Sequence, residues 1–121
     1  MIEFIKKILG RADPSTQKYQ QLSAARMEAF IKEENIKNYE ILDVRTPEEF
    51  ISGHLKKARN INLFDPGFDQ KLNNLDKNKT YFVICRSGNR SGSACKRMSQ
   101  LGFEKLYNIS GGMMGWPGEV V

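Results

Sequence analysis

Short apolar runs alternate along this chain with segments of helical spacing. Four runs predict strands, and they are YEILDV (39–44), ARNINL (58–63), TYFVIC (80–85) and KLYNI (105–109). Four intervening segments carry helical spacing or helix-start signals, and they are 24–34, 46–53, 66–75 and 91–101. Strands that alternate with helices favour an α/β domain whose mostly parallel sheet is covered on both faces.

Capping residues fix several of the predicted helix ends. Ser23 is a favourable N-cap for the first helix, and Thr46 followed by Pro47 begins the second. Gly53 and Gly102 are expected to end the second and the last helix. The helices are therefore short and separated by tight connections.

The first residues form a separate unit in this pattern. Residues 1–10, MIEFIKKILG, place their isoleucines on one helical face, and residues 11–16, RADPST, have linker character. We expect an N-terminal amphipathic extension and linker over 1–14 and one domain over 15–121. The favoured role for the extension is packing on the domain or on a partner, with weak binding to a membrane surface as the alternative.

Composition excludes several classes of protein. The 121 residues fit one compact domain, and the apolar start is too short and too charged for a membrane span or an export signal. The net charge of +5 is spread along the chain without a nucleic-acid motif, which favours small anions or acidic partners over nucleic acid. Cys85 and Cys95 make no disulfide framework, so we expect a cytoplasmic protein with reduced thiols. Two cysteines and one histidine fall short of a zinc site, and neither a metal nor a cofactor is expected.

Cys85 occupies the most informative position in the sequence. It ends a predicted buried strand and stands directly before a helix, where ligands bind in open α/β sheets. The residues that follow, RSGNRS, include Gly88, which can adopt strained backbone angles, and small polar side chains that leave amides uncovered. Such a loop can direct several N–H groups at an anion, which would stabilise a thiolate at its centre.

The segment CRSGNRS resembles the active-site loop of single-domain rhodaneses, the thiosulfate and persulfide sulfurtransferases. ILDVRTPEEFISGHLKKARNINL (41–63) is similar to the Asp-Val-Arg, Glu-Phe, Gly-His-Leu and Ala-x-Asn-Ile signature of that family. LYNISGGMMGWPGEV resembles the C-terminal Gly-Gly and Trp motif. The motifs occur in family order over most of residues 19–121. They imply a rhodanese-like fold with a mostly parallel five-stranded sheet flanked by helices on both faces.

The resemblance also implies a reaction. Cys85 would take a sulfane sulfur from thiosulfate or a persulfide, carry it as a persulfide and pass it to cyanide or a thiol. The loop contains no Asp, Glu or His, which fits displacement of sulfite without a general acid. Binding of the donor or the persulfide is expected at Arg86, Ser87, Gly88, Asn89 and Arg90.

Charged residues around the loop have expected supporting roles. Arg86 would attract anionic donors at the mouth of the site, whereas Arg90 would tie the loop to an acidic residue, for which the resemblance suggests Asp43 or Glu48. The resemblance also implies that Asp43 and Arg45 belong to a structural ion-pair network, and a catalytic role is disfavoured because arginine is a poor base.

Three other side chains invite functional roles but have structural interpretations. His54 follows a helix end, and the resemblance gives it a structural role and no pairing with the cysteine. Cys95 shares a helical face with Ser91 and Met98 and is expected to face inward, with a resolving thiol as the alternative. Trp116 is expected to pack near the edge of the active site.

Alternative functions stay open at this stage. A carrier that receives persulfide from one protein and delivers it to another would use the same cysteine. A phosphatase or arsenate reductase of the same fold is disfavoured, because related phosphatases have five residues between cysteine and arginine and this loop has four, between Cys85 and Arg90. A non-catalytic docking module is disfavoured because the cysteine and its loop are both intact.

Overall fold

The computed structural model describes residues 18–121. The predicted amphipathic extension over 1–14 and the domain boundary at 15 lie outside the described residues. Five strands form a single sheet: β1 Gln20–Ser23, β2 Tyr39–Asp43, β3 Ala58–Asn60, β4 Thr80–Ile84 and β5 Leu106–Ser110. Four α-helices connect or follow them: α1 Met27–Glu33, α2 Pro47–Ile51, α3 Phe68–Asn73 and α4 Asn89–Gln100. Two 3-10 turns complete the described elements, one at Ala24–Arg26 and one, termed here the C-terminal turn, at Gly112–Gly115.

All strand pairs in the sheet are parallel, in the order β1-β5-β4-β2-β3. This confirms the predicted α/β class and sharpens "mostly parallel" to wholly parallel among the described strands. β4 occupies the centre of the sheet, and its five residues are all buried. A central parallel strand is covered on both faces, which is why TYFVI reads as an uninterrupted apolar run.

The core has two layers, one on each face of the sheet. Tyr81 and Val83 of β4 pack with residues of α3 and α4, whereas Phe82 and Ile84 pack with α1 and with residues beside the C-terminal turn. Successive side chains of a strand point to opposite faces, so this single strand contributes to both layers. The central strand is thereby held on both sides, and its carboxyl end is a rigid base for the loop that follows.

β1 is the element that the apolar pattern does not predict. Its sequence, QQLS, contains one apolar residue, Leu22, and lies at the edge of the sheet. The strand exists because its backbone pairs with β5, with Gln21 opposite Asn108. Backbone pairing at a sheet edge needs no apolar alternation, so sequence alone gave no signal for it.

The first helix also begins differently from expectation. Ser23 lies before the 3-10 turn, yet its side chain makes no capping hydrogen bond. Helix α1 proper starts only at Met27, after that turn. None of the helices within residues 18–121 is long and apolar enough to cross a membrane.

Candidate active site

Cys85 lies immediately after β4 and is almost completely buried, with 1% of its surface exposed. Its Sγ accepts a hydrogen bond from the Gly88 backbone N–H at 3.1 Å and lies 3.4 Å from the Ser91 Oγ. Gly88 has a φ of +110°, in the left-handed region that side chains disfavour, and this lets the loop fold back over the sulfur. The loop therefore places a backbone amide and a hydroxyl beside the thiol.

The environment of the Cys85 sulfur favours its ionised form. Burial raises the pKa of the thiol. The Ser91 side chain and the backbone amides of Ser91, Gly88 and Ser87 together lower it by more, so the pKa lies below the usual value for cysteine. Amide groups and a hydroxyl that point at one sulfur stabilise negative charge there. The site thus holds a cysteine whose thiolate fraction is increased at neutral pH.

The C-terminal turn fixes the backbone of this loop from outside. The Met113 N–H donates to the Cys85 carbonyl at 2.9 Å, and the Met114 N–H donates to the Arg86 carbonyl at 3.0 Å. A Cβ on Gly112 would lie 2.6 Å from the Arg86 carbonyl oxygen and nearer still to that of Cys85. Gly112 is required because the two backbones approach so closely. The second glycine of the Gly-Gly motif therefore directly supports the loop that contains Cys85.

A buried polar network supports the loop from the side of β5. The Ser91 hydroxyl donates to the Asn108 side-chain carbonyl, and the Asn108 amide donates to the Gly88 carbonyl at 3.2 Å and to the Gln21 side chain at 3.0 Å. Asn108 lies opposite Val83 in the sheet, on the face that α4 covers. Sequence reasoning missed Asn108 and Gln21, because β1 and β5 come together beside the loop only in the folded sheet.

Arg90 ties the loop to helix α2, but its partner differs from both predicted candidates. Its guanidinium donates to the Glu49 carboxylate through two hydrogen bonds of 2.7 and 2.9 Å. Glu48 is exposed and Asp43 pairs elsewhere, so the assignment of Glu48 as loop support was wrong. The bidentate bond to Arg90 is the main cause that lowers the pKa of Glu49 to about 2, helped by bonds from Thr46.

The reason for this choice of partner is the capping box at the start of α2. Thr46 accepts from the Glu49 N–H at 3.3 Å, and the Glu49 side chain accepts in return from the Thr46 N–H at 3.1 Å. This exchange directs the third helical residue back toward the loop, whereas Glu48 points to solvent. The spacing of Thr46 and Glu49 in TPEE is the sequence signal that could have identified the correct glutamate.

Asp43 and Arg45 form a buried ion pair at the end of β2. The Arg45 Nε lies 2.9 Å from one Asp43 oxygen, a terminal nitrogen of the same guanidinium lies 2.7 Å from the other, and Asp43 is fully buried. Arg45 also donates to the Gly53 carbonyl at 2.8 Å, and the Asn60 side-chain amide donates to the backbone carbonyls of Asp43 and Arg45. These contacts connect β2, α2 and β3 and agree with the predicted structural ion pair.

The remaining predicted binding residues lie along the loop surface. The side chains of Arg86, Ser87 and Asn89 are exposed, and Asn89 is the first residue of α4. The amides that act on the sulfur belong to Ser87, Gly88 and Ser91, a set shifted from the expected run of Arg86 to Arg90. The difference arises because α4 begins within the loop, so that the first helical turn turns the Ser91 amide and hydroxyl toward the thiol.

His54 and Cys95 have the structural positions expected for them. The His54 ring stacks on Phe50 at a centroid distance of 3.7 Å, and its Nδ1 lies 2.8 Å from the Phe50 carbonyl, to which it must donate. Cys95 is fully buried in the core layer under α4, and burial, reinforced by the charge of Cys85, raises the pKa of its thiol. Both cysteines are free thiols.

A polar cavity of about 510 Å³ opens beside the loop, between α4 and β5. Its lining includes Ser87, Gly88 and Asn89 from the loop, Asn108 from β5 and Lys96 from α4. Within residues 18–121, no three His, Cys, Asp or Glu side chains cluster closely enough to hold a metal ion.

Comparison with known proteins gives the family of the chain. A family model described as the rhodanese-like domain matches residues 23–119. The putative sulfurtransferase YtwF of Bacillus subtilis is 44% identical over 79 residues, which are 65% of this chain and 74% of that protein. The putative sulfur carrier protein YrkF of the same organism is 32% identical over 119 residues, 97% of this chain, and the match spans only 63% of YrkF.

A solved structure supports the same relationship. The crystal structure of a rhodanese-related protein from Thermoplasma volcanium superposes with a TM-score of 0.72 at 35% sequence identity, and the match covers 85% of this chain and 98% of that one. The names of the relatives, sulfurtransferase and sulfur carrier, support a role in sulfur transfer. With a buried cysteine in an amide-lined loop at the end of a central parallel strand, and with a family model that matches nearly the whole described domain, the chain belongs to the rhodanese-like domain family.

Proposed function

We propose that this protein is a rhodanese-type sulfurtransferase, which moves a sulfane sulfur from thiosulfate or a persulfide donor to a thiophilic acceptor, cyanide or a thiol. The observation that carries the proposal is the Cys85 sulfur, held by the Gly88 N–H at 3.1 Å and the Ser91 hydroxyl at 3.4 Å. The Gly88 N–H stabilises a thiolate, the Ser91 hydroxyl does so when its proton turns from Asn108 to the sulfur, and the same donors suit the negative charge of a terminal persulfide sulfur. No cofactor or metal takes part in this scheme.

The proposed reaction has two displacements at sulfur. In the first, the Cys85 thiolate attacks the outer sulfur of thiosulfate, an S–S bond forms to Cys85, and the S–S bond of thiosulfate breaks as sulfite leaves with the electron pair. In the second, cyanide or a thiolate attacks the outer sulfur of the persulfide, and the electron pair of that S–S bond returns to Cys85 as the thiolate. Neither leaving group needs a proton, which fits a site without a general acid beside the sulfur.

The loop residues have distinct proposed roles. Arg86 is exposed beside the nucleophile and would attract the anionic donor, while the amides of Ser87 and Gly88 would bind its charge. Asn89 lines the adjacent polar cavity, where the rest of a donor or acceptor would lie. Arg90 is proposed to act through loop position, since its guanidinium is bonded to Glu49.

A second candidate is a carrier that exchanges persulfide with partner proteins. The relative named a putative sulfur carrier protein aligns with 97% of this chain. Met114 lies beside the loop, because its N–H donates to the Arg86 carbonyl and the N–H of the preceding Met113 donates to the Cys85 carbonyl. The Met114 side chain is 70% exposed. An exposed apolar side chain beside an exposed cation fits contact with a protein that bears an acidic surface.

The position of Arg90 argues against the phosphatase alternative. In the related phosphatases, the longer loop between cysteine and arginine gives the room and the charge pattern for a tetrahedral phosphate. Here both terminal nitrogens of Arg90 bond Glu49, which leaves this guanidinium committed to the protein. The docking-module alternative is disfavoured by the downward shift of the Cys85 pKa, for which a purely structural cysteine has no use.

Two further expectations accompany the proposal. The domain is proposed to span residues 15–121, a range that contains the family match over 23–119, with residues 1–14 as a separate extension. A cytoplasmic location with reduced thiols is proposed because the chemistry requires a free Cys85 thiolate.

Steady-state kinetics would test the two-step scheme. Thiocyanate formation is measured while thiosulfate and cyanide are both varied, with an aryl-phosphate assay in parallel. Transfer through a covalent intermediate predicts parallel lines in double-reciprocal plots and no phosphate release. Intersecting lines would contradict the persulfide route, and phosphate release that depends on Cys85 would favour the phosphatase. Thiocyanate formation in the Cys95→Ala variant should equal that of the wild type, since Cys95 is buried away in the core.

A further inference from the structure

Asn108 is a buried polar residue with a fully satisfied side chain, placed one contact away from the nucleophile. Only 4% of its surface is exposed. Its side-chain amide donates to the Gly88 carbonyl at 3.2 Å and to the Gln21 side-chain oxygen at 3.0 Å, and its side-chain oxygen accepts from the Ser91 hydroxyl. No substrate contact is needed to explain these bonds, which concern the loop and its hydroxyl.

The contacts determine which way the Asn108 amide points. The nitrogen has two hydrogens and faces two acceptors, the Gly88 backbone oxygen and the Gln21 oxygen. A flipped amide would place an oxygen against the Gly88 carbonyl oxygen, which can only accept, and would break that bond. The side-chain oxygen of Asn108 must therefore face the Ser91 hydroxyl, so it is always an acceptor there.

The Ser91 hydroxyl consequently has one proton and two possible acceptors. It lies 3.4 Å from the Cys85 Sγ and is hydrogen-bonded to the Asn108 oxygen. When Cys85 is a thiol, its S–H can donate to the Ser91 oxygen while the Ser91 proton stays on Asn108, and every group is satisfied. When Cys85 has lost its proton to solvent, the Ser91 hydroxyl can donate to the thiolate only by rotating away from Asn108, which leaves the buried Asn108 oxygen without that donor.

We propose that Asn108 is a positioning residue that, through the Ser91 hydroxyl, favours the protonated form of unloaded Cys85 and so restrains its reactivity. This inference rests on the proposed role of Cys85 as the nucleophile. The amides of the loop stabilise the ionised thiolate, and Asn108 opposes them by competing with the sulfur for the one proton of Ser91. The strength of the nucleophile is thus set by a balance between the loop and strand β5.

Two other ionisable groups are coupled to the charge of Cys85 and must stay constant in any test. They are Arg90, in the loop, and Cys95, in helix α4, and the negative charge of ionised Cys85 raises the pKa of both. The substitutions needed to test the role of Asn108 touch neither residue. Arg86 also lies beside the nucleophile in sequence and is likewise unchanged.

A double-mutant cycle separates this role from a purely structural one. Asn108→Leu is made in the wild-type background and in Ser91→Ala. The rate at which iodoacetamide alkylates Cys85 is measured from about pH 5 to about pH 10, a range that brackets the pKa of a thiol. Peptide mass mapping identifies the alkylated cysteine. In the wild-type background we expect Asn108→Leu to shift the alkylation profile about 0.5 to 1 pH unit lower, the size of one lost hydrogen bond. In the Ser91→Ala background the same substitution should give no downward shift, because no proton is left to compete for.

Other outcomes would overturn the proposal. An equal downward shift in both backgrounds would mean that Asn108 acts without Ser91, and an upward shift or none in the wild-type background would mean that it acts only by holding the Gly88 carbonyl. Circular dichroism checks the fold of each variant, and Asn108→Ala replaces Asn108→Leu in the same cycle if the leucine variant does not fold. Alkylation needs no sulfur donor, so a failure of sulfur transfer would leave this result standing and would count against the proposed function alone.

Discussion

Gly112 provides the sharpest test of how the fold supports the nucleophile loop. Its φ is +51°, and a Cβ at this position would lie 2.6 Å from the Arg86 carbonyl oxygen, with the Cys85 carbonyl oxygen nearer still. The three nearest atoms it would meet are all backbone, so no side-chain rotation relieves the contact. Gly112→Ala must therefore push the C-terminal turn off the loop.

The magnitude follows from two separate contributions. A non-glycine residue in the left-handed region costs about 1 to 2 kcal/mol. Separating the turn from the loop weakens the bonds from the Met113 and Met114 amides to the Cys85 and Arg86 carbonyls, at about 1 kcal/mol each. We expect the free energy of unfolding to fall by about 3 to 4 kcal/mol in total.

Gly111→Ala is the matched control. Gly111 has a φ of +79°, but a Cβ there would meet only the Gly115 Cα, at 3.9 Å, which is ordinary contact. Urea unfolding should show a loss of about 1 to 2 kcal/mol for Gly111→Ala and about 3 to 4 kcal/mol for Gly112→Ala. Alkylation of Cys85 in the folded protein should change only in Gly112→Ala. Equal losses in the two variants, with unchanged alkylation, would refute the close backbone approach as the reason for the glycine.

Three further predictions concern the charges around the loop. Glu49→Gln should lower stability at pH 7 by about 1 kcal/mol, since the carboxylate is partly exposed and screened, and Glu48→Gln should have no effect. Because the folded pKa of Glu49 is lowered from 4.5 to about 2, wild-type stability should fall as pH drops from 4.5 toward 2, and urea titrations that show the same fall in Glu49→Gln would contradict the assignment. Arg86→Ala should reduce kcat/KM for thiosulfate by about 2- to 10-fold at low salt and less at high salt, and a salt-independent loss would argue against steering. Asp43→Asn leaves the Arg45 guanidinium buried without its anion, so it should cost about 3 to 5 kcal/mol in urea unfolding, and a loss below about 1 kcal/mol would contradict a structural pair.

The sequence predicted the parts of the fold that depend on local pattern. The strand at Thr80–Ile84 is buried on both faces, and its unbroken apolar run is typical of a central parallel strand. Thr46 and Pro47 start α2 where capping chemistry placed them. Cys85 could be located at the end of that central strand because both signals, the apolar run and the polar loop after it, lie within a few residues.

What sequence could not predict depends on contacts between distant segments. β1 lacks an apolar pattern and is held by pairing with β5, so nothing local marks it as a strand. Asn108 meets Gln21 and Gly88 only after the sheet has assembled. The pairing of Arg90 with Glu49 joins distant segments, yet it could have been predicted, because the capping box that selects Glu49 over Glu48 is visible in the sequence.

We propose that Cys85 itself carries the transferred sulfur. Intact-protein mass spectrometry after incubation with thiosulfate, or with a low-molecular-weight persulfide, tests it most directly. We expect a gain of one sulfur atom, about 32 Da for a single covalent persulfide, that is lost on cyanide treatment, absent in Cys85→Ser and retained in Cys95→Ala. A wild-type protein that gains no sulfur from either donor, or a gain that persists in Cys85→Ser, would contradict it.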